Sequence, residues 1–141
     1  MTQFAIGQKA SYSKTITEQD VRAFAEISGD QNPLHLDEEY AKHSRFGARI
    51  AHGAFTFGVI SAAIGNAMPG AVYLSQTIKF LKPVYFNDTL TAIAEIIAIR
   101  SDKGILTLKT DCYNQRGEKI AEGEAMAFHE DAKGGDEKRK P

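Results

Sequence analysis

The sequence predicts an α+β domain in which one long buried helix packs against an antiparallel sheet. Residues 53–67 are apolar on nearly every side and rich in small side chains, which is typical of a helix at the centre of a domain. From residue 72 onward, apolar and polar residues alternate with a period of two, the spacing of strands. Short polar turns separate these segments, so neighbouring strands are expected to run antiparallel.

Composition and charge limit the class of protein. The chain has 141 residues, of which 43% are hydrophobic and 25% charged, and its formal net charge is −1. These values are typical of a globular domain, and without a basic block before residue 131 we expect no nucleic-acid partner. The single cysteine, Cys112, cannot form an internal disulfide. No signal peptide or membrane-spanning pattern is recognisable, so we expect a cytoplasmic protein without a membrane partner.

Local signals define the elements before the central helix. Residues 9–16 alternate loosely and predict an edge strand. Thr17 is a favourable N-cap and Asp20 completes a capping box, so a first helix is expected from about residue 18 to residue 28. Gly29 then ends this helix, because glycine readily adopts the left-handed conformation of a C-terminal cap.

The next segment carries candidate catalytic groups. Pro33 removes a backbone donor and biases Asn32 toward extended geometry, so no helix is expected before a short one over residues 37–43. On a connection stiffened by proline, the Asp30 carboxylate and the His35 imidazole can converge on one water molecule and move its protons. An ordinary polar turn, with His35 exposed to solvent, explains the same residues.

The central helix supplies a further candidate. Gly53 is its first residue, and the first amides of a helix have no acceptor within it and lie at its positive end. The Gly53 N–H could therefore donate to an oxygen that gains negative charge during a reaction. A close packing contact explains this glycine equally well.

The C-terminal half is expected to form strands over residues 72–86, 89–100, 105–113 and 118–128. Lys82-Pro83 interrupts the first of them and indicates a bulge, an edge or a bend. Because the strands follow one another through short turns, they are expected to form a meander. We predict one domain over residues 1–130 and a disordered charged tail over residues 131–141.

Two motifs carry a specific resemblance. Residues 28–35 read SGDQNPLH with Ala41 six residues later, and residues 50–53, at the head of the apolar helix, read IAHG. Together with the order of elements over about residues 8–130, these motifs resemble the (R)-specific enoyl-CoA hydratases, also called MaoC-like dehydratases or hydratase 2 enzymes. The short bacterial hydratases that feed polyhydroxyalkanoate synthesis from β-oxidation are the most similar form. The resemblance implies a hot-dog fold, in which a curled antiparallel sheet wraps the long helix.

The resemblance also implies roles for individual residues. Asp30 and His35 would hold one water, deliver its hydroxyl to C3 of a trans-2-enoyl-CoA and protonate C2, giving an (R)-3-hydroxyacyl-CoA. The Gly53 amide would stabilise negative charge on the thioester oxygen. Asn32 would support the water or the loop, and Ser61 would orient the pair or line the site.

Further expectations concern the acyl chain, metals and partners. Ile64 and Met68 are weak candidates for the floor of an acyl tunnel. The resemblance implies no cofactor, because the CoA thioester is the substrate, and the histidines lack the spacing of a zinc site. We expect His43 and His129 at the surface and His52 at a subunit contact or at the mouth of the site. The family usually pairs two subunits through their sheets, so a homodimer is expected.

Two other functions remain open at this stage. A hot-dog thioesterase would hydrolyse the thioester, and a non-catalytic acyl-CoA-binding domain would need neither Asp30 nor His35 in working order. The sequence also leaves open the acyl-chain length, the choice between CoA and acyl-carrier-protein thioesters and the physiological direction. Which of the two catalytic residues is the base is open as well.

Overall fold

A five-stranded antiparallel sheet carries the fold in a computed structural model that describes residues 4–134. The strands are β1 (Lys9–Thr15), β2 (Val72–Phe80), β3 (Thr89–Arg100), β4 (Ile105–Tyr113) and β5 (Lys119–Phe128). The α-helices are α1 (Glu18–Ser28), α2 (Pro33–Leu36), α3 (Glu38–Lys42) and α4 (Gly53–Ala67). The predicted α+β class is confirmed, and the central helix α4 has the predicted bounds.

The strands are arranged in the order β1-β3-β4-β5-β2. β3, β4 and β5 form the predicted meander, but β2 pairs with β5 and not with β3, its neighbour in sequence. The prediction of one continuous meander is therefore wrong for β2. The physical reason is the connection over residues 81–88, which contains Pro83 and is long enough to cross the sheet. As a consequence, β1 and β2 are the two edge strands.

The helix α4 packs mainly against β1 and β3 and has two different faces. The buried face is formed by Thr56, Val59, Ile60, Ala63 and Ile64. On the other face, Ala54, Phe57, Gly58 and Gly65 are exposed. The sequence predicts a helix buried on all sides, whereas a single chain leaves this small and apolar face uncovered. None of the helices within residues 4–134 is long and apolar enough to cross a membrane.

The ends of α1 follow the local signals. Thr17 Oγ1 accepts the Asp20 N–H at 3.1 Å, and the Asp20 carboxylate accepts the Thr17 N–H at 3.0 Å, which is the predicted capping box. Gly29 ends the helix in the left-handed conformation, with φ of 81°. The prediction that Pro33 prevents a helix is wrong, because Pro33 is the first residue of the one-turn helix α2. At that position its missing N–H removes no bond within the helix.

The described chain continues beyond the predicted boundary at residue 130. Residues 130–132 form a short 3-10 helix, and Ala132 is fully buried against the core. His129 was expected at the surface but is buried, and its Nε2–H donates to the Pro69 carbonyl at 2.8 Å. The remainder of the predicted disordered tail, residues 135–141, lies outside the described residues.

We expect the pairing of β2 with β5 to depend on Gly123, where the two backbones approach closely. A Cβ at this position would lie 1.9 Å from the Thr77 carbonyl oxygen. Gly123→Ala should therefore lower the free energy of unfolding, measured by urea denaturation, by about 1–3 kcal/mol or more. Gly65→Ala is the matched control, because nothing lies within 4 Å of its added methyl group. A Gly123→Ala protein as stable as wild type would contradict this assignment.

Candidate active site

The loop between α1 and α2 is held by a series of side-chain caps. Ser28 Oγ accepts the Asp30 N–H at 3.1 Å, and Asp30 Oδ1 accepts the Asn32 N–H at 3.1 Å. Asn32 Oδ1 in turn accepts the Leu34 N–H at 3.0 Å and caps α2. Each of these residue types bonds readily to nearby backbone, which explains why the sequence folds locally in this way. The Asn32 side chain therefore acts on the loop.

His35 leaves this loop on α2 and points into the interior. Its ring is 7% exposed, and Nδ1 lies 2.7 Å from the carbonyl oxygen of Ile50. A carbonyl only accepts, so Nδ1 carries the hydrogen and donates it. In the neutral ring, Nε2 is then the acceptor. One buried imidazole is thus held in a defined tautomer with a free lone pair.

His52, which was expected at a subunit contact or at the mouth of the site, is a third member of the cluster. Its ring is 1% exposed and stacks on His35, with 3.9 Å between the ring centroids. Phe24 also packs against it, at 4.7 Å. Nε2–H donates to the Asp30 carbonyl at 3.2 Å, whereas Nδ1 has no hydrogen-bond partner among the described residues. His52 therefore supports both residues of the predicted pair.

The predicted pair is brought together in space. One side-chain ligand atom from each of Asp30, His35 and His52 lies within 4.8 Å of the other two. Asp30 is exposed, and both histidines are buried. The IAHG motif could have identified His52 as a site residue. His52 immediately precedes Gly53 in this motif, so its position relative to the start of α4 is fixed.

This cluster has the residue types of a metal site, but its geometry suits a cation poorly. The two imidazole rings stack on each other, with an interplanar angle of 32° and a centroid distance of 3.9 Å. His35 Nδ1 and Asp30 Oδ1 are already engaged in hydrogen bonds with the backbone. The arrangement fits the movement of a proton better than it fits the tetrahedral coordination typical of zinc.

A cavity of about 220 Å³ adjoins His35. Gly53, the first residue of α4, lines it together with Arg45, Phe46, Ile50, Ala51, Thr56 and residues 80–84. The walls are largely apolar, and Arg45 and Lys82 are the cationic residues among them. A substrate in this cavity would meet an imidazole acceptor and the positive end of a helix.

Five predicted site residues are not among those that line this cavity: Asp30 and Asn32 on the loop, and Ser61, Ile64 and Met68 further along the chain. Ser61 is partly buried and stands eight residues after Gly53, which corresponds to about 12 Å along the helix axis. Ile64 and Met68 are each 1% exposed and belong to a core cluster with residues of β3, β4 and β5. The structure therefore places Ile64 and Met68 in the packed core of the chain and not on the wall of the cavity.

Comparisons with known proteins agree with this geometry. The model of the MaoC like domain family matches residues 2–112. The chain is 43% identical to a Rhodospirillum rubrum (R)-specific enoyl-CoA hydratase, over 86% of this chain and 85% of that protein. It is 41% identical to the Aeromonas caviae (R)-specific enoyl-CoA hydratase, over 86% of this chain and 92% of that protein.

A solved structure supports the fold in the same way. The (R)-hydratase of Aeromonas caviae, described as involved in PHA biosynthesis, superimposes with a TM-score of 0.85 at 38% identity. The match covers 89% of this chain and 97% of that structure. The predicted hot-dog fold is therefore confirmed.

The buried His52 should make stability depend on pH. Burial lowers the pKa of His52 below its ordinary value of 6.5, so the unfolded chain binds a proton there before the folded chain does. The free energy of unfolding should then fall as the pH decreases below the pKa of the unfolded histidine, by up to about 1.4 kcal/mol per pH unit. His52→Phe keeps an aromatic ring in the stack but removes the titrating group, so it should lose this slope.

Urea unfolding of wild type and His52→Phe between pH about 7.5 and about 5.5 measures the difference. The free energy of unfolding of wild type, relative to that of the variant, should fall toward acid pH. His43→Phe is the control, because the His43 side chain is 72% exposed, and it should follow the wild-type curve. Equal slopes for wild type and His52→Phe would contradict a buried neutral His52.

Proposed function

The chain belongs to the MaoC-like family, and we propose that it hydrates trans-2-enoyl-CoA to (R)-3-hydroxyacyl-CoA, the reversible reaction of a lyase. The observation that carries this proposal is the convergence of Asp30 and His35 beside the first turn of α4. An acid–base pair next to free helix amides provides what the addition of water to a conjugated thioester needs.

The hydrogen bond from His35 Nδ1 to the Ile50 carbonyl supports different roles for His35 and Asp30 in the reaction. His35 Nε2, as the free acceptor, takes a proton from the water while the water oxygen bonds to C3. The exposed Asp30 carboxylate can only accept hydrogen bonds, so it orients the same water through its second O–H. The protonated His35 then returns the proton to C2, and the net result is the addition of one water molecule.

The thioester oxygen gains negative charge when hydroxide adds at C3. Gly53 lines the cavity as the first residue of α4, so its N–H has no acceptor within the helix. In our proposal this N–H donates to the thioester oxygen, and the helix dipole adds to the stabilisation. Removing such a donor typically lowers kcat about 10²- to 10³-fold.

The cationic residues of the cavity suit the phosphate groups of a thioester substrate such as an acyl-CoA. Arg45 and Lys82 lie among its lining residues and can attract phosphate groups. An acyl-carrier-protein thioester is the alternative, and a comparison of both substrates at equal acyl length distinguishes them. Production of (R)-3-hydroxyacyl-CoA for polyhydroxyalkanoate synthesis in the cytoplasm is the physiological role that we propose.

Substitution of the pair should abolish hydration. We expect Asp30→Asn and His35→Gln each to lower kcat/KM for crotonyl-CoA by about 10²- to 10⁴-fold, because His35 transfers the proton and Asp30 orients the attacking water. Loss of the enoyl-thioester absorbance measures the reaction, and chiral analysis of the product measures its configuration. The exposed His43→Gln is the matched control and should retain wild-type activity.

The same assay separates the alternatives. A thioesterase would release free CoA thiol while the enoyl band remains, and a binding domain would change neither signal. Either outcome with wild-type protein would contradict the hydratase. A circular dichroism spectrum like that of wild type ensures that a variant's loss of activity reflects chemistry and not unfolding.

We also propose that two chains form a homodimer through β2. This strand is an edge of the sheet, so its outer backbone groups are available to a second strand. Val72 and Leu74 on it are 53% and 52% exposed, and the uncovered face of α4 lies nearby, with Phe57 packed on Tyr73 of β2. An apolar edge of this kind is typical of a subunit contact.

A lysine on β2 should disrupt this dimer. Leu74→Lys places a charge on the edge and should shift the protein from a mass of two chains to one in analytical ultracentrifugation. Ile27→Lys is the control, because Ile27 is 87% exposed on α1, away from this edge. A Leu74→Lys protein that remains dimeric at low micromolar concentration would exclude β2 as the contact.

A further inference from the structure

Phe80, the last residue of β2, lies between the active-site cavity and a second cavity. Its ring packs against the first residue of α4. A Cβ added to Gly53 would lie 3.0 Å from Phe80 Cζ and 3.2 Å from Cε1. Phe80 is among the residues that line each of the two cavities, which places it between them.

The second cavity lies between the start of α4 and β2. Its volume is about 530 Å³, and it opens along the exposed edge of the sheet. It is lined by Ala54, Phe57, Tyr73, Leu74, Gln76 and Ile78, in addition to Ser75 and Phe80. Most of this surface is apolar, which suits a hydrocarbon chain.

The main polar groups of this cavity are engaged with one another. The Tyr73 hydroxyl donates to Gln76 Oε1, and Gln76 Nε2 donates to Thr110 Oγ1 at 2.8 Å. Burial raises the pKa of Tyr73 to about 12, so the hydroxyl stays protonated at neutral pH. These contacts leave few polar groups free to bind a charged or strongly polar ligand.

The size of the first cavity makes the second one relevant. About 220 Å³ is below the range of about 300–1,000 Å³ that ligand sites usually occupy, so the site beside His35 has room for only a short acyl group. A longer acyl chain that keeps its thioester at Gly53 must leave this cavity. The route past Phe80 leads directly into apolar space.

The position of Phe80 allows this route to open. Its side chain is 50% exposed and stands where β2 ends, so a change of rotamer disturbs less packing than it would for a core ring. By contrast, the sequence-predicted tunnel residues Ile64 and Met68 are packed in the core. Chain-length control by Phe80 therefore requires no rearrangement of the core.

We propose that Phe80 sets the acyl-chain preference by closing the active-site cavity toward the second cavity. Short enoyl chains bind with the ring in place. Longer chains displace the ring and extend over Ala54 and Phe57 toward β2. This inference rests on the proposed hydratase function and concerns its substrate range. In the proposed dimer, the partner chain would cover the open side of the second cavity.

The test compares kcat/KM for crotonyl-, hexenoyl- and octenoyl-CoA in wild type and Phe80→Ala. Removing the ring joins the two cavities, so the ratio of octenoyl- to crotonyl-CoA activity should rise about 15- to 60-fold, as two to three additional buried methylenes would give. Phe80→Trp enlarges the wall and should lower the same ratio. Opposite shifts for the two variants are the signature of a steric wall.

Ile97→Ala is the matched control. Ile97 is a large apolar residue of β3 that is 41% exposed and lines neither cavity, so its truncation should leave the ratio within two-fold of wild type. An unchanged ratio in Phe80→Ala with crotonyl-CoA activity retained would overturn the role of Phe80 and leave the hydratase intact. Absence of activity on all three substrates in wild type would instead overturn the proposed function, and this inference with it.

Discussion

The hydrogen bond from His35 Nδ1 to the Ile50 carbonyl connects two parts of the chain on which the site depends. It joins α2 to the segment that leads into α4, and it fixes which nitrogen of His35 accepts a proton. The same segment is tied to the sheet side of the molecule, because the Ala51 N–H donates to the Val84 carbonyl at 2.8 Å. These two hydrogen bonds thereby fix the positions of the acid–base pair, the first amides of α4 and the far wall of the cavity relative to one another.

The polar groups of the site are not all satisfied, and this has a cost. His52 places a buried nitrogen without a hydrogen-bond partner among the described residues next to a second imidazole. A buried polar atom of this kind typically costs about 1–3 kcal/mol of stability. The stack with Phe24 and the bond to Asp30 offset part of that cost. Such local conflict is expected where a structure serves a reaction.

Features encoded by neighbouring residues could be predicted from the sequence. The capping box at Thr17, the left-handed Gly29 and the start of α4 at Gly53 depend only on residues within one or two turns. The pair of Asp30 and His35 was found for a similar reason, since both lie on one short connection. The expectation that the Asp30 and His35 side chains converge on one water depended on the resemblance of the motif to the MaoC-like family.

Features that depend on distant residues were missed. The pairing of β2 with β5 is decided by the whole sheet, and no pattern within residues 72–80 indicates it. Ile64 has the helical spacing of an inward-facing residue, but this spacing does not show whether the side chain packs in the core or lines a cavity. The stacking of His52 on His35 joins positions 17 residues apart, and Phe80 meets Gly53 only in three dimensions, so neither contact could be predicted from the sequence.

The strand order has a consequence for how the chain folds during synthesis. β2 is made 39 residues before the start of β5, the one strand with which it pairs among the described residues. Until β5 leaves the ribosome, the apolar segment around Leu74 and Phe80 has no sheet to join and is open to other unfolded chains. The wall of the catalytic cavity is therefore completed by the last strand to be translated. As a result, the catalytic cavity is complete only late in synthesis.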